Sequence, residues 1–259
     1  MEIGIQVSSL KPLLLTEEQV FAVCRKMKML GVNTLQLQWI DPSVSIEAIA
    51  RALEENGLRS LSVQDPSTAM IENFSYYTAL NAATGGTWIC ASRIPENRKS
   101  PAGLETFARE LEELGKKLEK LGQKLCFHPI GSDYTALPDR NAVEYLLEAL
   151  PELPLCLDLY HLNRNCDDMP GFLRRYAGRV CMVHFKDSRD GKLVPTGQGD
   201  TNWDGVVAAC LETNVPYAFV EQETWDRDPY DCLQEAMDFV AEEIRNVKKS
   251  TGYFETNVL

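Results

Sequence analysis

Three apolar runs of the sequence end in residues that apolar surroundings reject. LPLCLDLYHLNRNCDD (153–168) delivers Asp158 and His161, RVCMVHFKDSRDGK (179–192) delivers His184, Lys186 and Asp187, and VPYAFVEQE (215–223) ends in Glu221 and Glu223. Each run begins as a buried strand would. An unpaired buried ionisable group costs about 3 kcal/mol or more, so carboxylates and imidazoles gathered at strand ends call for a shared partner. A divalent cation is the economical one, held by oxygen and nitrogen donors together.

The elements that must position these residues repeat roughly every 25 to 37 residues, the length of a βα unit. Strand patterns fall at EIGIQV, NTLQLQWI, LRSLSVQ, TWICAS, KLCFHP, LPLCLD, RVCMVHF and PYAFVEQ. Helical patterns lie between them, at 16–30, 44–56, 71–83, 103–121, 140–151, 169–177, 202–214 and 230–249, with Thr16, Ser45 and Asp139 as N-caps. Apolar strands separated by helices imply a parallel sheet, and this number of units predicts a single-domain (β/α)8 TIM barrel over 1–249. The last residues, 250–259, read as a C-terminal tail that is loose or covers the barrel or a neighbouring subunit. No GxGxxG follows the first strand, which removes the main support for a dinucleotide-binding sheet.

Barrels of this kind carry their sites at the C-terminal strand ends. The polar residues there are Gln36, Gln38, Gln64, Arg93, His128, Asp158, His161, His184, Lys186, Glu221 and Glu223, and they include all three histidines of the chain. His128, Asp158, His184 and Glu221, on four consecutive strands, form the candidate ligand set for one divalent metal. Asp158 and His161 cannot share one strand face, so His161 is expected on a loop, contacting substrate or capping the next helix. Lys186 either forms a salt bridge to Asp187 or Glu221, or neutralises an oxyanion or phosphate. The glycines of PTGQGDTNWDGVV (195–207) either offer amides to an anion or sugar hydroxyl, or form a plain loop with Asp200 or Asn202 as a helix cap.

Bulk properties narrow the partners. With 26 basic against 38 acidic side chains the net charge is −12, which disfavours nucleic acid. The N-terminus has no leader pattern and no run reaches the ~18 apolar residues of a membrane span, so a cytoplasmic protein with no membrane partner is expected. The eight cysteines form no CxxC pair; Cys90, Cys126, Cys156 and Cys181 lie in predicted strands and read as small reduced hydrophobes.

The chain resembles the sugar phosphate isomerase/epimerase group of xylose isomerase-like TIM barrels, which includes D-tagatose 3-epimerase, inosose dehydratase and endonuclease IV. The resemblance is carried by IGIQ, GLRSLSV, LCFHP, the stretch LDLYHLNRNCDDMPGFLRRYAGRVCMVHFKD, GQGDTNW and FVEQE. It implies one divalent ion (manganese, magnesium, cobalt or zinc) held by Glu, Asp, His and Glu; the last three map to Asp158, His184 and Glu221. The first falls on His128, a departure, and Gln36 and Gln64 stand where relatives carry Glu and His, so the trinuclear zinc site of the repair enzymes is incomplete.

The resulting expectation is an isomerase or epimerase of a sugar, keto-sugar, sugar phosphate or cyclitol. Glu221 or His128 would move the proton next to the carbonyl; Lys186 would steady the oxyanion, and His161, Arg93 and Gln64 would hold the substrate. The alternatives are a dehydratase or lyase using the same site, and a non-catalytic sugar-binding barrel or subunit with a degraded one. A homo-oligomer is a further possibility.

Overall fold

The computed structural model describes residues 1–250. In chain order its elements are β1 (Glu2–Gln6), α1 (Glu17–Met29), β2 (Thr34–Leu37), α2 (Ile46–Glu55), β3 (Arg59–Pro66), α3 (Ser67–Glu72), α4 (Phe74–Ala83), β4 (Trp88–Ser92), α5 (Pro101–Glu119), β5 (Lys124–His128) and α6 (Ala142–Ala149). They continue with β6 (Leu155–Asp158), α7 (Leu159–Asn163), α8 (Met169–Arg175), β7 (Val180–Phe185), β8 (Asp187–Arg189), β9 (Lys192–Val194), α9 (Val206–Glu212), β10 (Tyr217–Val220) and α10 (Pro229–Ser250).

Strands β1 to β7 and β10 pair in parallel and in sequence order, and β10 returns to β1 to close the barrel. This is the (β/α)8 barrel that the strand and helix periods predict. Closure requires a close approach at β1, where a Cβ on Gly4 would meet the Thr34 carbonyl at 2.5 Å and the Phe219 ring at 2.8 Å. Helices pack their apolar faces on the outside of the strands, as Leu104, Phe107, Leu111 and Leu118 of α5 do. The tail expected over 250–259 lies, apart from Ser250 at the end of α10, outside the described residues.

Inside the barrel the side chains form a layer rich in sulfur. Cys90, Cys126, Cys156, Met182 and Phe219 stand two residues before Ser92, His128, Asp158, His184 and Glu221, so each shares a strand face with its partner and lies one layer deeper. They pack with Leu61 and Cys181. These cysteines are free and buried, packed as small side chains in the barrel interior.

Three local expectations change. The helix read over 71–83 is two, broken at Asn73 between α3 and α4, where the backbone leaves helical geometry. The cap before α6 is Asn141 rather than Asp139; its side chain accepts from Glu144 N while Glu144 reaches back to its amide. The segment after β7 also folds back as an antiparallel hairpin, β8–β9, around Asp190 and Gly191, both left-handed.

Candidate functional site

Each strand end delivers its rim residue because alternation aims every second side chain into the barrel. The residues at the C-terminal ends open into a cavity of about 890 Å³ whose lining includes Gln64, Arg93, His128, Asp158, His161, Lys186 and Glu221. His184 is fully buried beneath that floor.

His184 is the hub. Its Nδ1 lies 3.0 Å from Glu221 Oε2 and 3.2 Å from His128 Nε2; its Nε2 lies 2.5 Å from Gln36 Oε1 and 3.2 Å from Cys156 Sγ. Among the described residues, two sets of donor atoms lie within 4.8 Å of one another: Asp158, His184 and Glu221, and His128, Cys156 and His184. Three of the four ligand candidates from the sequence, Asp158, His184 and Glu221, thus share one set, while His128 groups with His184 and a thiol. Cys156 is the donor that sequence reasoning missed. Its position two residues before Asp158 was the available signal, hidden because a strand cysteine reads first as apolar.

The carboxylates are held on their outer side. Glu221 Oε1 accepts from Ser8 Oγ at 2.8 Å, a contact across 213 residues of chain that no local pattern reveals. Asp158 caps α7 through Oδ1, which accepts from Tyr160 N at 2.8 Å and His161 N at 3.2 Å, leaving Oδ2 turned to the site. His161 thus stands on a short helix, not a loop. Its Nε2 approaches Asp158 Oδ2 at 3.6 Å and its ring lines the cavity.

Lys186 does not pair with Asp187. Its ammonium lies 2.5 Å from Glu223 and 3.9 Å from both Asp158 and Glu221. Burial works against that charge, but Glu221, Asp158 and Glu223 outweigh it and hold Lys186 protonated well above the usual lysine range. Burial likewise pushes the Glu221 carboxyl up; Lys186, with His184 and His128, outweighs it and keeps Glu221 ionised. His128 is pushed well below the usual imidazole value by burial, then by His184 and His161, so it is neutral. Burial pushes the Cys156 thiol up to about 12.

The glycine-rich segment closes around an anion of the chain itself. The Asp187 carboxylate accepts from the amides of Ser188, Gly197, Gly199 and Thr201 and from Trp203 Nε1, at 2.9 to 3.3 Å. A Cβ on Gly199 would stand 2.1 Å from Asp187 Oδ1, so glycine is required there. The expected anion or sugar site at this segment is therefore filled by Asp187, and α9 starts after left-handed Gly205 without a cap from Asp200 or Asn202. Asp187 ties down the β8–β9 hairpin, whose Gly191, Lys192, Leu193 and Val194 wall the cavity.

On the opposite side of the barrel the buried rim residues are neutral. Gln36 accepts from Gln6 Nε2 at 3.1 Å, and Gln64 donates to Gln38 at 3.3 Å while accepting from the Cys90 thiol at 3.4 Å. Gln64 lines the cavity as expected, and so does Arg93, an exposed side chain in left-handed backbone (φ 59°) whose amide donates to the His128 carbonyl at 3.0 Å. Trp39 takes the same strained conformation (φ 57°) after β2, on the same cavity wall.

Residues 24–243 match the family model described as xylose isomerase-like TIM barrel. The chain belongs to that family. A comparison with curated protein sequences returns no match. Among solved structures, the xylose isomerase-like barrel seen here is similar to L-ribulose 3-epimerase, with TM-score 0.79, 14% identity and 100% of both chains covered. It is also similar to the IOLI protein with a bound zinc atom, with TM-score 0.75, 14% identity, and 95% of this chain and 99% of that one covered. A third likeness is to D-allulose 3-epimerase from Methylomonas sp. in complex with D-allulose, with TM-score 0.72, 15% identity, and coverage of 93% and 96%. At these identities the likeness is one of fold: this chain shares its barrel with those structures, and it gathers a buried cluster of side chains able to ligate a metal. No described helix is long and apolar enough to cross a membrane.

Proposed function

We propose that the protein is a divalent-metal-dependent isomerase or epimerase acting on a sugar, keto-sugar, sugar phosphate or cyclitol. The observation that carries this reading is the buried trio Asp158, His184 and Glu221 beside a cavity of about 890 Å³, roomy enough for a sugar. Two carboxylates and an imidazole suit a hard or borderline divalent ion, and a group with Asp158 Oδ2 turned inward fits it. Asp158, His184 and Glu221 would hold the ion, with His128 beside them. When bound, such an ion polarises a carbonyl and acidifies the neighbouring carbon-bound proton.

The remaining steps fall to side chains. Glu221, kept ionised, takes the proton next to the carbonyl. His128, neutral, is the second group able to exchange it, and the Lys186 ammonium steadies the oxygen that gains charge. His161, Arg93 and Gln64 orient substrate hydroxyls or a phosphate from the cavity wall.

One observation favours a second reading, a non-catalytic sugar-binding barrel: Lys186 already lies 3.9 Å from both carboxylates and supplies positive charge without a metal. The test is metal content of protein purified without added metal, followed by solvent deuterium incorporation into ketoses, inososes and their phosphates. About one ion per chain, with exchange that disappears in Asp158→Ala, supports the enzyme. Failure to take up manganese, cobalt or zinc on incubation favours the binding barrel.

A further inference from the structure

The imidazole of His184 is shared by two donor sets. Its Nδ1 lies 3.0 Å from Glu221, in the set completed by Asp158, and 3.2 Å from His128 Nε2; its Nε2 lies 3.2 Å from the Cys156 thiol, in the set that His128 completes. All of these side chains are buried, and His128 Nδ1 has no hydrogen-bond partner. A neutral imidazole offers one lone pair, so the two sets compete for the same ring.

The sets also differ in chemical character. The first is two carboxylates and a nitrogen; the second is two nitrogens and a sulfur, above a layer that adds Cys90, Cys126 and Met182. Oxygen donors favour manganese and magnesium, whereas thiolate selects zinc, cadmium and copper(I). Gln36 Oε1, 2.5 Å from His184 Nε2, accepts the ring proton when Nδ1 is the ligand and must release it when Nε2 is.

We propose that His128, Cys156 and His184 form a second metal site, selective for a thiophilic ion, whose occupation withdraws His184 from the carboxylate set and so excludes the ion held there. Resting on the function proposed above, the consequence is that a thiophilic metal switches the barrel off by taking its shared ligand.

The experiment uses cadmium as the probe on the full chain. One equivalent produces a thiolate-to-metal charge-transfer band in the ultraviolet and releases manganese loaded beforehand, followed by the manganese electron paramagnetic resonance signal. In Cys156→Ser and Cys156→Ala, either of which serves if the other folds poorly, the band is lost and cadmium binds at least about tenfold more weakly. Manganese affinity in these variants stays within about twofold, because no carboxylate changes. Cys90→Ser and Cys166→Ser keep the band. A band that survives loss of Cys156, or cadmium and manganese bound together in one chain, overturns the proposal. Manganese that binds and is displaced as expected, with no sugar exchanging deuterium, leaves the two-site arrangement standing and removes the enzymatic reading instead.

Discussion

The two halves of the barrel rim solve the same geometric problem with opposite chemistry. Strands β1 to β4 present Gln6, Gln36, Gln38, Gln64 and Ser92, all buried and neutral; strands β5, β6, β7 and β10 present His128, Asp158, His184 and, just past their ends, Lys186 and Glu221. Amides can satisfy one another at no electrostatic cost, as Gln6–Gln36 and Gln38–Gln64 do. The ionisable half cannot: its carboxylates depend on Lys186 and on Ser8. Under the proposed function, the contrast would put the chemistry on one side and leave the other as a polar wall for a hydroxylated substrate.

The sharpest break of this contrast is removal of Glu221. Glu221→Ala leaves His184 Nδ1 without its carboxylate and Lys186 with one fewer, so we expect a loss of about 3 to 5 kcal/mol in urea unfolding. Metal affinity should fall by at least about 100-fold by equilibrium dialysis. An effect no larger than that of a glutamine on the neutral side would erase the distinction between the halves.

Next is Asp187, which belongs to the ionisable half yet faces away from it. Asp187→Ala orphans the amides of Ser188, Gly197, Gly199 and Thr201 and the Trp203 indole, and should cost about 3 kcal/mol. Asparagine should rescue only in part, since its carbonyl oxygen can replace one carboxylate oxygen while its NH2 presents donors to donors. Hydrogen exchange should rise over 187–203 while the metal still binds. Loss of metal binding along with the loop would show that the hairpin and the ligand set are one unit.

A pH series tests the ionisable half alone. His128 has a folded pKa well below the ordinary 6.5, so the unfolded chain takes up the proton first. Stability is then complete above about pH 6.5 and falls as pH drops below it, by up to about 1.4 kcal/mol per pH unit from this group. Glu221, ionised in the fold well below its ordinary 4.5, adds a further loss as pH falls through that value. His128→Asn should flatten the upper part of the curve in urea unfolding between pH 7 and 5. An unchanged slope would mean that His128 protonates as readily in the fold as outside it.

The same contrast explains what could be read from residues alone. The barrel was legible because each strand and helix announces itself by period and length, and the rim because an ionisable residue ending an apolar run stands out. The neutral half was visible only as departures from an expected Glu and His at Gln36 and Gln64. What stayed hidden depends on distance along the chain: Ser8 reaching Glu221, the Asp187 carboxylate gathering amides 10 to 14 residues ahead. The β8–β9 hairpin did carry a signal, Asp190-Gly191 between short alternating segments, masked by its position inside a βα connection. Cys156 was hidden for another reason: burial makes a thiol look apolar whether or not a lone pair faces a neighbour.

The smallest expected effect lies in the neutral half. Gln64→Leu keeps the volume of the wall but removes the donor to Gln38 and the acceptor of the Cys90 thiol, which costs about 1 kcal/mol because Gln38 sits at the cavity and can rebond to water. If Gln64 only orients substrate, KM should rise about fivefold, equivalent to that energy, with kcat nearly unchanged. Steady-state kinetics on whichever sugar shows deuterium exchange reads the split. A fall in kcat at constant KM would place Gln64 among the groups that meet the developing charge, and the neutral half would then share the chemistry that the ionisable half is assigned.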